Sequence, residues 1–232
     1  MNVCRAATYL FADRAWARKV GLIALVSPVP VFGQLYGLGY ANLTLRSQVT
    51  DEDDGTLPKA KLGWELCWLG IQVMLITLLC GLVVAFIGAP LSMGQETDID
   101  SFAPALVYAL QGPSSLLVSA VSAVLTAVVL ARFALTRRLG GGFDPAGIWR
   151  LLRAEPAIWI SYAMVGYVAI EGPYALVWVL PLHDGWDTGA TLAACTVFWV
   201  YGQMINAHLI GQAYAWSRKT AALRAAEVRY RW

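Results

Sequence analysis

One ionisable residue within an apolar stretch is the strongest candidate for chemistry in this sequence. Glu171 lies in the hydrophobic segment 157–180, directly before a Gly-Pro pair. A carboxyl group inside a membrane segment is costly, and such residues commonly mark a functional site. Two roles fit Glu171: a carboxylate that binds a proton or a substrate, or a neutral, hydrogen-bonded carboxyl that is purely structural. A rise of about 1.5 Å per helical residue predicts that Glu171 lies level with Ser122 and Gln203.

The last hydrophobic segment, 188–216, holds more polar side chains than a lipid-facing helix tolerates. They are Tyr201, Gln203, Asn206, His208 and Gln212. A spacing of three residues puts Gln203 and Asn206 on one helix face, and a spacing of four puts His208 and Gln212 on another. This helix is therefore predicted to face a helix bundle or a cavity.

Gln72 is the remaining polar candidate, and it lies on an earlier apolar segment at about the depth of His208. We predict a hydrogen bond between the two side chains. Hydrogen bonds between helices are the simplest role for these polar groups, at roughly 0.6 to 2 kcal/mol each. A transport pathway is the alternative role. The candidate intramembrane site has six members: Glu171, Ser122, Gln203, Asn206, His208 and Gln72.

Signatures of enzymes and of metal sites are missing from the sequence. It contains no G-x-S-x-G, no H-E-x-x-H, no P-loop and no pair of carboxylates within an apolar segment. Its two histidines are His183 and His208, and its four cysteines show no C-x-x-C spacing. We therefore expect no enzymatic activity, no cofactor and no metal ion.

Small residues recur at every fourth position in three segments. They are Gly33 and Gly37 in the first, Ser115, Ser119, Ala123 and Ala127 in the second, and Gly211 in the third. In a bilayer, helices associate through packing and hydrogen bonds, so small residues let two backbones approach closely. Packing within the chain is the expected role, and an interface with a partner subunit is the alternative.

The composition places these residues in a membrane protein. Of 232 residues, 58% are hydrophobic and 14% are charged, whereas soluble domains have about half and about a quarter. Three uninterrupted segments, 64–89, 114–135 and 188–216, are long enough to cross a hydrocarbon core of roughly 30 Å. The segment 157–180 is also long enough, but Gly172 and Pro173 predict a kink or break within it.

The charges predict how these segments are oriented. All 17 Lys and Arg residues fall into four groups: Arg5–Lys19, Arg46–Lys61, Arg132–Arg153 and Arg218–Arg231. The loops 91–101 and 181–187 contain acidic residues but no Lys or Arg. Because positive residues stay on the cytoplasmic side, the four basic groups and both termini are predicted to be cytoplasmic. This distribution indicates a multi-pass protein of the inner (plasma) membrane.

The first hydrophobic stretch, 20–45, has cationic residues on both sides. Its 26 residues are too few to cross the bilayer twice. Pro28 and Pro30 offer a point where the chain can reverse, so we predict a re-entrant hairpin that packs against protein. A fifth span is the alternative. In that case the acidic run at 51–54 offsets the three cations after the stretch, Arg46, Lys59 and Lys61.

Short amphipathic segments flank the interrupted stretches. Asp144 and Pro145 are a favourable N-cap and first residue for an interfacial helix over 144–153. The segment 1–19 is predicted to lie on the cytoplasmic surface as well, and 217–232 to form a basic tail at the lipid headgroups.

Four short stretches are similar to a prokaryotic membrane family called domain of unknown function four thousand and thirteen. They are Phe11–Lys19, Gly39–Asn42, Asp54–Pro58 and Phe198–Tyr214, spread over nearly the full length. The resemblance implies a multi-pass bacterial or archaeal membrane protein. It implies no activity, cofactor or catalytic residue, and the motif at Glu171 is not part of it.

The expected architecture is a single all-α integral membrane domain over 1–232, with four transmembrane helices plus a re-entrant hairpin or fifth span. Its expected function is that of a non-catalytic subunit or scaffold of a prokaryotic inner-membrane assembly. The expected partners are the lipid bilayer, other membrane subunits or a second copy, and a cytoplasmic partner at 144–153 or 217–232, but not nucleic acid. A permease-like transporter component, oligomeric or coupled to an ATPase, is the alternative, and a membrane-embedded lipid-modifying enzyme is the third.

Overall fold

Helices are the only regular elements in the parts of the chain that the computed structural model describes. These parts are residues 2–26, 32–50, 57–59, 63–92, 113–166 and 188–230. The helices are α1 (Val3–Ala12), α2 (Trp16–Val26), α3 (Phe32–Val49), α4 (Trp64–Ser92), α5 (Pro113–Thr136), α6 (Leu139–Gly142), α7 (Pro145–Ala154), α8 (Pro156–Gly166) and α9 (Thr188–Tyr230). The prediction of an all-helical protein is therefore confirmed for these residues.

Two of the described helices are long and apolar enough to cross a membrane. They are Trp64–Val84 within α4 and Val118–Thr136 within α5, with mean hydropathies of 2.3 and 2.1. The polar residues of α9 lower its hydropathy, and it does not meet the same criterion. Of the predicted span 157–180, only the part within α8 is described. A total of four spans therefore stays a prediction.

The stretch 20–45 forms parts of two helices rather than one. Helix α2 ends at Val26 and α3 begins at Phe32. The prolines between them, Pro28 and Pro30, lie outside the described residues, as do Glu171, Gly172 and Pro173. The two separate helices are compatible with both a hairpin and a span, so the re-entrant course stays a prediction.

Helix α3 lies at the centre of the bundle, where α4 approaches it very closely. A Cβ atom added at Gly39 would collide with the carbonyl oxygen of Leu66, and one added at Gly70 would collide with that of Leu35. Leu35, earlier in α3, meets Gly70, later in α4, whereas Gly39 meets Leu66. The two helices therefore run antiparallel. The absence of side chains at Gly39 and Gly70 is what permits this backbone contact.

Helix α9 packs along another side of α3 in the parallel direction. Gly37 lies against the Trp199 ring near the start of α3, and Gly211 lies against Gln48 near its end. Both glycines belong to the small-residue series described above, and here they pack within the chain. Among the other members, Gly33 and Ala127 are buried, Ser119 and Ala123 are half-buried, and the Ser115 side chain lies outside the described residues.

The segment 144–153, predicted to be an interfacial helix, starts as its sequence predicts. Helix α7 begins at Pro145, and the Asp144 side chain accepts hydrogen bonds from the backbone N–H groups of Ala146 and Gly147, each at 3.2 Å. Asp144 is therefore an N-cap that satisfies two otherwise unpaired donors. The carboxylate also forms a salt bridge of 2.6 Å with Arg132 of α5, which ties α7 to the end of that helix.

Candidate functional site

The N-terminal helix covers one polar face of the last helix. The backbone N–H of Asn2 donates to Gln212 Oε1 at 2.7 Å, and Gln212 Nε2 donates to the Asn2 carbonyl at 3.2 Å. Toward the other end of α1, the Tyr201 hydroxyl donates to the Ala7 carbonyl at 2.8 Å. Asn2 pairs with Gln212, whereas Ala7, later in α1, pairs with Tyr201, earlier in α9. Helix α1 therefore runs antiparallel to α9 and forms hydrogen bonds with Tyr201 and Gln212.

Two aromatic contacts strengthen the same pairing. The Tyr9 ring stacks on the buried His208 ring with centroids 4.4 Å apart, and Phe11 lies 6.1 Å from the Tyr201 ring. The sequence prediction paired His208 with Gln72 and did not identify α1 as a neighbour of α9. The amphipathic spacing of Ala6 and Tyr9, both buried, was the available signal.

A buried hydrogen bond links α8 to α9. The Tyr162 hydroxyl donates to Asn206 Oδ1 at 2.8 Å, and both residues are buried. Trp159, one turn earlier in α8, packs edge-on against Tyr162 with centroids 6.2 Å apart. The amide of Asn206 is therefore held in place by a neighbouring helix.

A buried carboxylate joins the α1–α2 turn to the segment before α4. Asp13 is 6% exposed, and it accepts hydrogen bonds from the backbone N–H groups of Ala15 at 2.7 Å and Leu57 at 2.8 Å. Lys19 Nζ forms a salt bridge with it at 2.6 Å and also donates to the Leu57 carbonyl. We call this group of residues, Asp13, Lys19 and Leu57, the Asp13 junction.

The electrostatics of the Asp13 junction favour a charged carboxylate. Burial raises the pKa of Asp13, but the hydrogen bonds from Lys19, Ala15 and Leu57 and the Lys19 charge outweigh it, so the pKa lies below its usual value. The Tyr40 hydroxyl of α3 donates to the adjacent Pro58 carbonyl at 2.9 Å. Together, Asp13 at the end of α1, Lys19 of α2 and Tyr40 of α3 anchor residues 57–58.

A cavity of about 770 Å³ lies between α3, α4 and the end of α5. We call it the basic cavity. Among the described residues, its charged lining consists of Arg46, Lys59, Arg137 and Glu65, and its other polar residues are Asn42 and Gln72. The cavity also has an apolar wall, which is formed by Leu66, Trp68, Leu69, Phe133 and Ala134. The cavity therefore combines net positive charge with an apolar surface.

A second cavity of about 220 Å³ lies deeper, between α3, α4, α5 and α9. We call it the inner cavity. Its polar lining is Thr77, Thr126, Gln203, Asn206 and Asn42. Asn42 lines both cavities and is 5% exposed, and its Nδ2 has no hydrogen-bond partner among the described residues. Asn42 is therefore a buried polar residue shared by the linings of the two cavities.

The structure brings together part of the predicted polar site. Gln203 and Asn206 line the inner cavity, whereas Gln72 lines the basic cavity and His208 stacks on Tyr9. Ser122 lies on α5 one turn before Thr126, and Glu171 lies outside the described residues. Within the described parts of the chain, no three His, Cys, Asp or Glu side chains cluster closely enough to hold a metal ion.

The comparisons with known proteins identify a family but no activity. No curated protein and no solved structure matches the chain. The model of a family described as protein of unknown function (DUF4013) matches residues 22–182. Of the four similar stretches, Gly39–Asn42 and Asp54–Pro58 fall within this match, while Phe11–Lys19 and Phe198–Tyr214 lie outside it. Because the match covers most of the length of this chain, the chain belongs to the DUF4013 family.

Proposed function

We propose that this protein is a non-catalytic, multi-pass subunit or scaffold of a prokaryotic inner-membrane assembly. The proposal rests on the hydrogen bonds that polar side chains of α9 form with neighbouring helices. Tyr201 and Gln212 bond to α1, and Asn206 bonds to Tyr162 of α8. Side chains that hold neighbouring helices together stabilise a fixed arrangement, as a structural subunit requires.

The exposed surface of α4 supports the membrane location. Large apolar side chains lie on its outer side along most of its length: Trp64, Trp68, Met74, Leu75, Leu78, Leu82, Val83 and Phe86. Its inner side is also apolar, with Val73 and Ile76 buried. A helix that is apolar on every side suits acyl chains or a neighbouring membrane helix rather than water.

The packing of the helices supports a single basic side. Arg46 near the end of α3, Lys59 before α4, and Arg137 after α5 all line the basic cavity. The antiparallel course of α3 and α4 brings the first two together at one end of the bundle. Three positive side chains from separate segments at the same end suit the cytoplasmic face under the positive-inside rule.

The subunit proposal is tested by purifying the tagged full-length chain from its native membranes in a gentle detergent. We expect at least one other membrane protein at fixed stoichiometry, measured by mass spectrometry after size-exclusion chromatography. Two differently tagged copies, expressed together, separate self-association from binding to other subunits. A monodisperse monomer that carries neither a partner nor a second copy would contradict the proposal.

The predicted topology is tested by cysteine labelling in intact cells, in a variant that lacks the native cysteines. A membrane-impermeant maleimide should label Gln95→Cys and Gly185→Cys, which lie in the acidic loops, from outside. It should not label Gly55→Cys until the cells are opened. Labelling of Gly55→Cys in intact cells would rule out the re-entrant hairpin.

A permease-like component is the second candidate, because the inner and basic cavities share Asn42 as a lining residue. Gln203 and Asn206 provide polar groups in the otherwise mainly apolar lining of the inner cavity. If Glu171 acts in proton-coupled transport, Glu171→Gln should reduce proton flux in proteoliposomes that contain a pH-sensitive dye. Equal flux in wild type, Glu171→Gln and empty liposomes would exclude this candidate.

A further inference from the structure

We propose that the basic cavity binds the phosphate headgroup of an anionic phospholipid. In the described part of the chain, its charged lining comprises three cationic side chains, Arg46, Lys59 and Arg137, and one carboxylate, Glu65. The cations come from three different parts of the chain, and the fold alone brings them to one cavity. Arginine and lysine side chains are the usual protein partners of phosphate, so this lining selects an anionic group.

The apolar wall extends this preference from phosphate to an amphiphile. Leu66 and Phe133 are buried beside the cavity, and the Trp68 side chain, 50% exposed, lies at its edge. A free phosphate would leave this surface in contact with water, whereas the upper part of an acyl chain would cover it. The volume of about 770 Å³ falls within the range of small-molecule sites, roughly 300 to 1,000 Å³.

Asn42 supplies an independent sign that a ligand oxygen belongs here. Asn42 lines the cavity, and its buried Nδ2 has no acceptor among the described residues. Buried polar groups in native proteins almost always have a partner, so an unused amide donor beside three cations indicates a missing acceptor. A phosphate oxygen that reached this amide would supply the acceptor while its charge paired with the cations.

The location suits a lipid of the inner leaflet, and this step rests on the proposed topology. The basic cavity opens at the end of the bundle assigned to the cytoplasm, where headgroups lie. Anionic phospholipids give that surface its negative potential, and each basic residue near it contributes about a fivefold gain in affinity. The bilayer itself therefore supplies the ligand.

The test uses the full-length protein in zwitterionic detergent, titrated with dioctanoyl phosphatidylglycerol while tryptophan fluorescence is recorded. Because Trp68 lies at the cavity edge, we expect a saturable change in its emission as the lipid binds. The double variant Arg46→Gln/Arg137→Gln should bind about 30-fold more weakly. The control Arg150→Gln removes an exposed cation of α7 that does not line the cavity, and it should bind as the wild type does.

A further variant separates weak binding from poor folding. Arg137 has a φ of 55°, a left-handed conformation that favours glycine. Arg137→Gly therefore removes a cation while relieving backbone strain, and we expect it to weaken lipid binding without lowering the melting temperature. Unchanged lipid affinity in this variant and in the double variant would overturn the proposal.

Competing ligands distinguish the sources of the phosphate. Glycerol 1-phosphate and inorganic phosphate should compete only at far higher concentrations, since neither covers the apolar wall. Competition by inorganic phosphate at the lipid's own concentration would replace the lipid proposal with a free-phosphate site. Equal loss of binding in Arg150→Gln would show nonspecific surface attraction and would also overturn it. None of these results depends on whether the protein co-purifies with other subunits.

Discussion

Asp13 carries its negative charge in a nearly closed environment. Its side chain, which pairs with Lys19, is 7% exposed, whereas that of Asp144, which pairs with Arg132, is 45% exposed. Water screens the second ion pair far more than the first. The two residues therefore allow aspartate ion pairs at different burial to be compared.

We expect Asp13→Asn to lower the free energy of unfolding by about 2 kcal/mol, because three donors lose a charged acceptor. Asp144→Asn should cost less, on the order of 1 kcal/mol. Thermal unfolding in detergent at pH 7 measures both. Equal losses in the two variants would contradict the buried charge at Asp13.

The contribution of Asp13 should also depend on pH in a defined direction. Since the folded state lowers the pKa of Asp13 below its ordinary value of 3.8, the stabilisation is complete above that value. It is lost as pH falls through the lower pKa of the folded state. The difference in melting temperature between wild type and Asp13→Asn should therefore be constant from pH 7 to about pH 5 and shrink below about pH 4. A difference that grew on acidification would show the opposite shift.

Tyr162 and Asn206 form a buried pair whose energy can be isolated. Tyr162→Phe leaves Asn206 Oδ1 without its donor, and we expect a loss of about 1 kcal/mol. A double-mutant cycle with Asn206→Ala separates the hydrogen bond from changes in packing. Additive losses in the cycle would mean that the two side chains do not interact in the folded protein.

At the scale of elements, the contact between α3 and α4 depends on Gly70. We expect Gly70→Ala to destabilise the protein by about 2 kcal/mol, because the added Cβ meets the backbone of Leu35 and only a helix shift can relieve it. Gly81, on the same helix, has no atom within 4 Å of an added Cβ. Gly81→Ala should therefore be neutral or stabilising by up to about 1 kcal/mol through helix propensity. Thermal unfolding should show a lower melting temperature for Gly70→Ala and no such loss for Gly81→Ala.

The sequence predicts the helices better than it predicts their neighbours. The helical class and the start of α7 follow from composition and from the Asp144–Pro145 signal, because both depend on local chemistry. The spacing of polar residues on α9 shows which side chains share a face. It cannot show which helix covers that face, because the choice is made by residues about 200 positions away in the chain.

The Asp13 junction illustrates the same limit. Phe11–Lys19 and Asp54–Pro58 are recognisable as separate stretches, and the structure joins Asp13 to Leu57 through 2.8 Å. Nothing in either stretch alone specifies the other as its partner. Gly39 and Gly70 likewise give no periodic signal, since each belongs to a different helix and their roles arise only when the two helices meet.

At the scale of the whole molecule, α1 closes one side of the bundle. We expect deletion of residues 2–12 to cause aggregation or loss of expressed protein, because it uncovers His208, Tyr201 and Gln212 together. Truncation after Leu223, which removes the end of the basic tail, should leave a monodisperse protein. Fluorescence-detected size-exclusion chromatography of tagged variants measures both, and a monodisperse peak for the α1 deletion would contradict this role.

The pairing of α1 with α9 also sets an order of events during synthesis. Asn2 and Gln212 are separated by 210 positions, so at about 5 to 20 residues per second the ribosome needs roughly 10 to 40 s to supply the partner of the first helix. During that interval the buried face of α1, with Ala6 and Tyr9, has no α9 to cover it. Because α1 is made before α9, it waits for this pairing, and a protease or chaperone has that time to act on it.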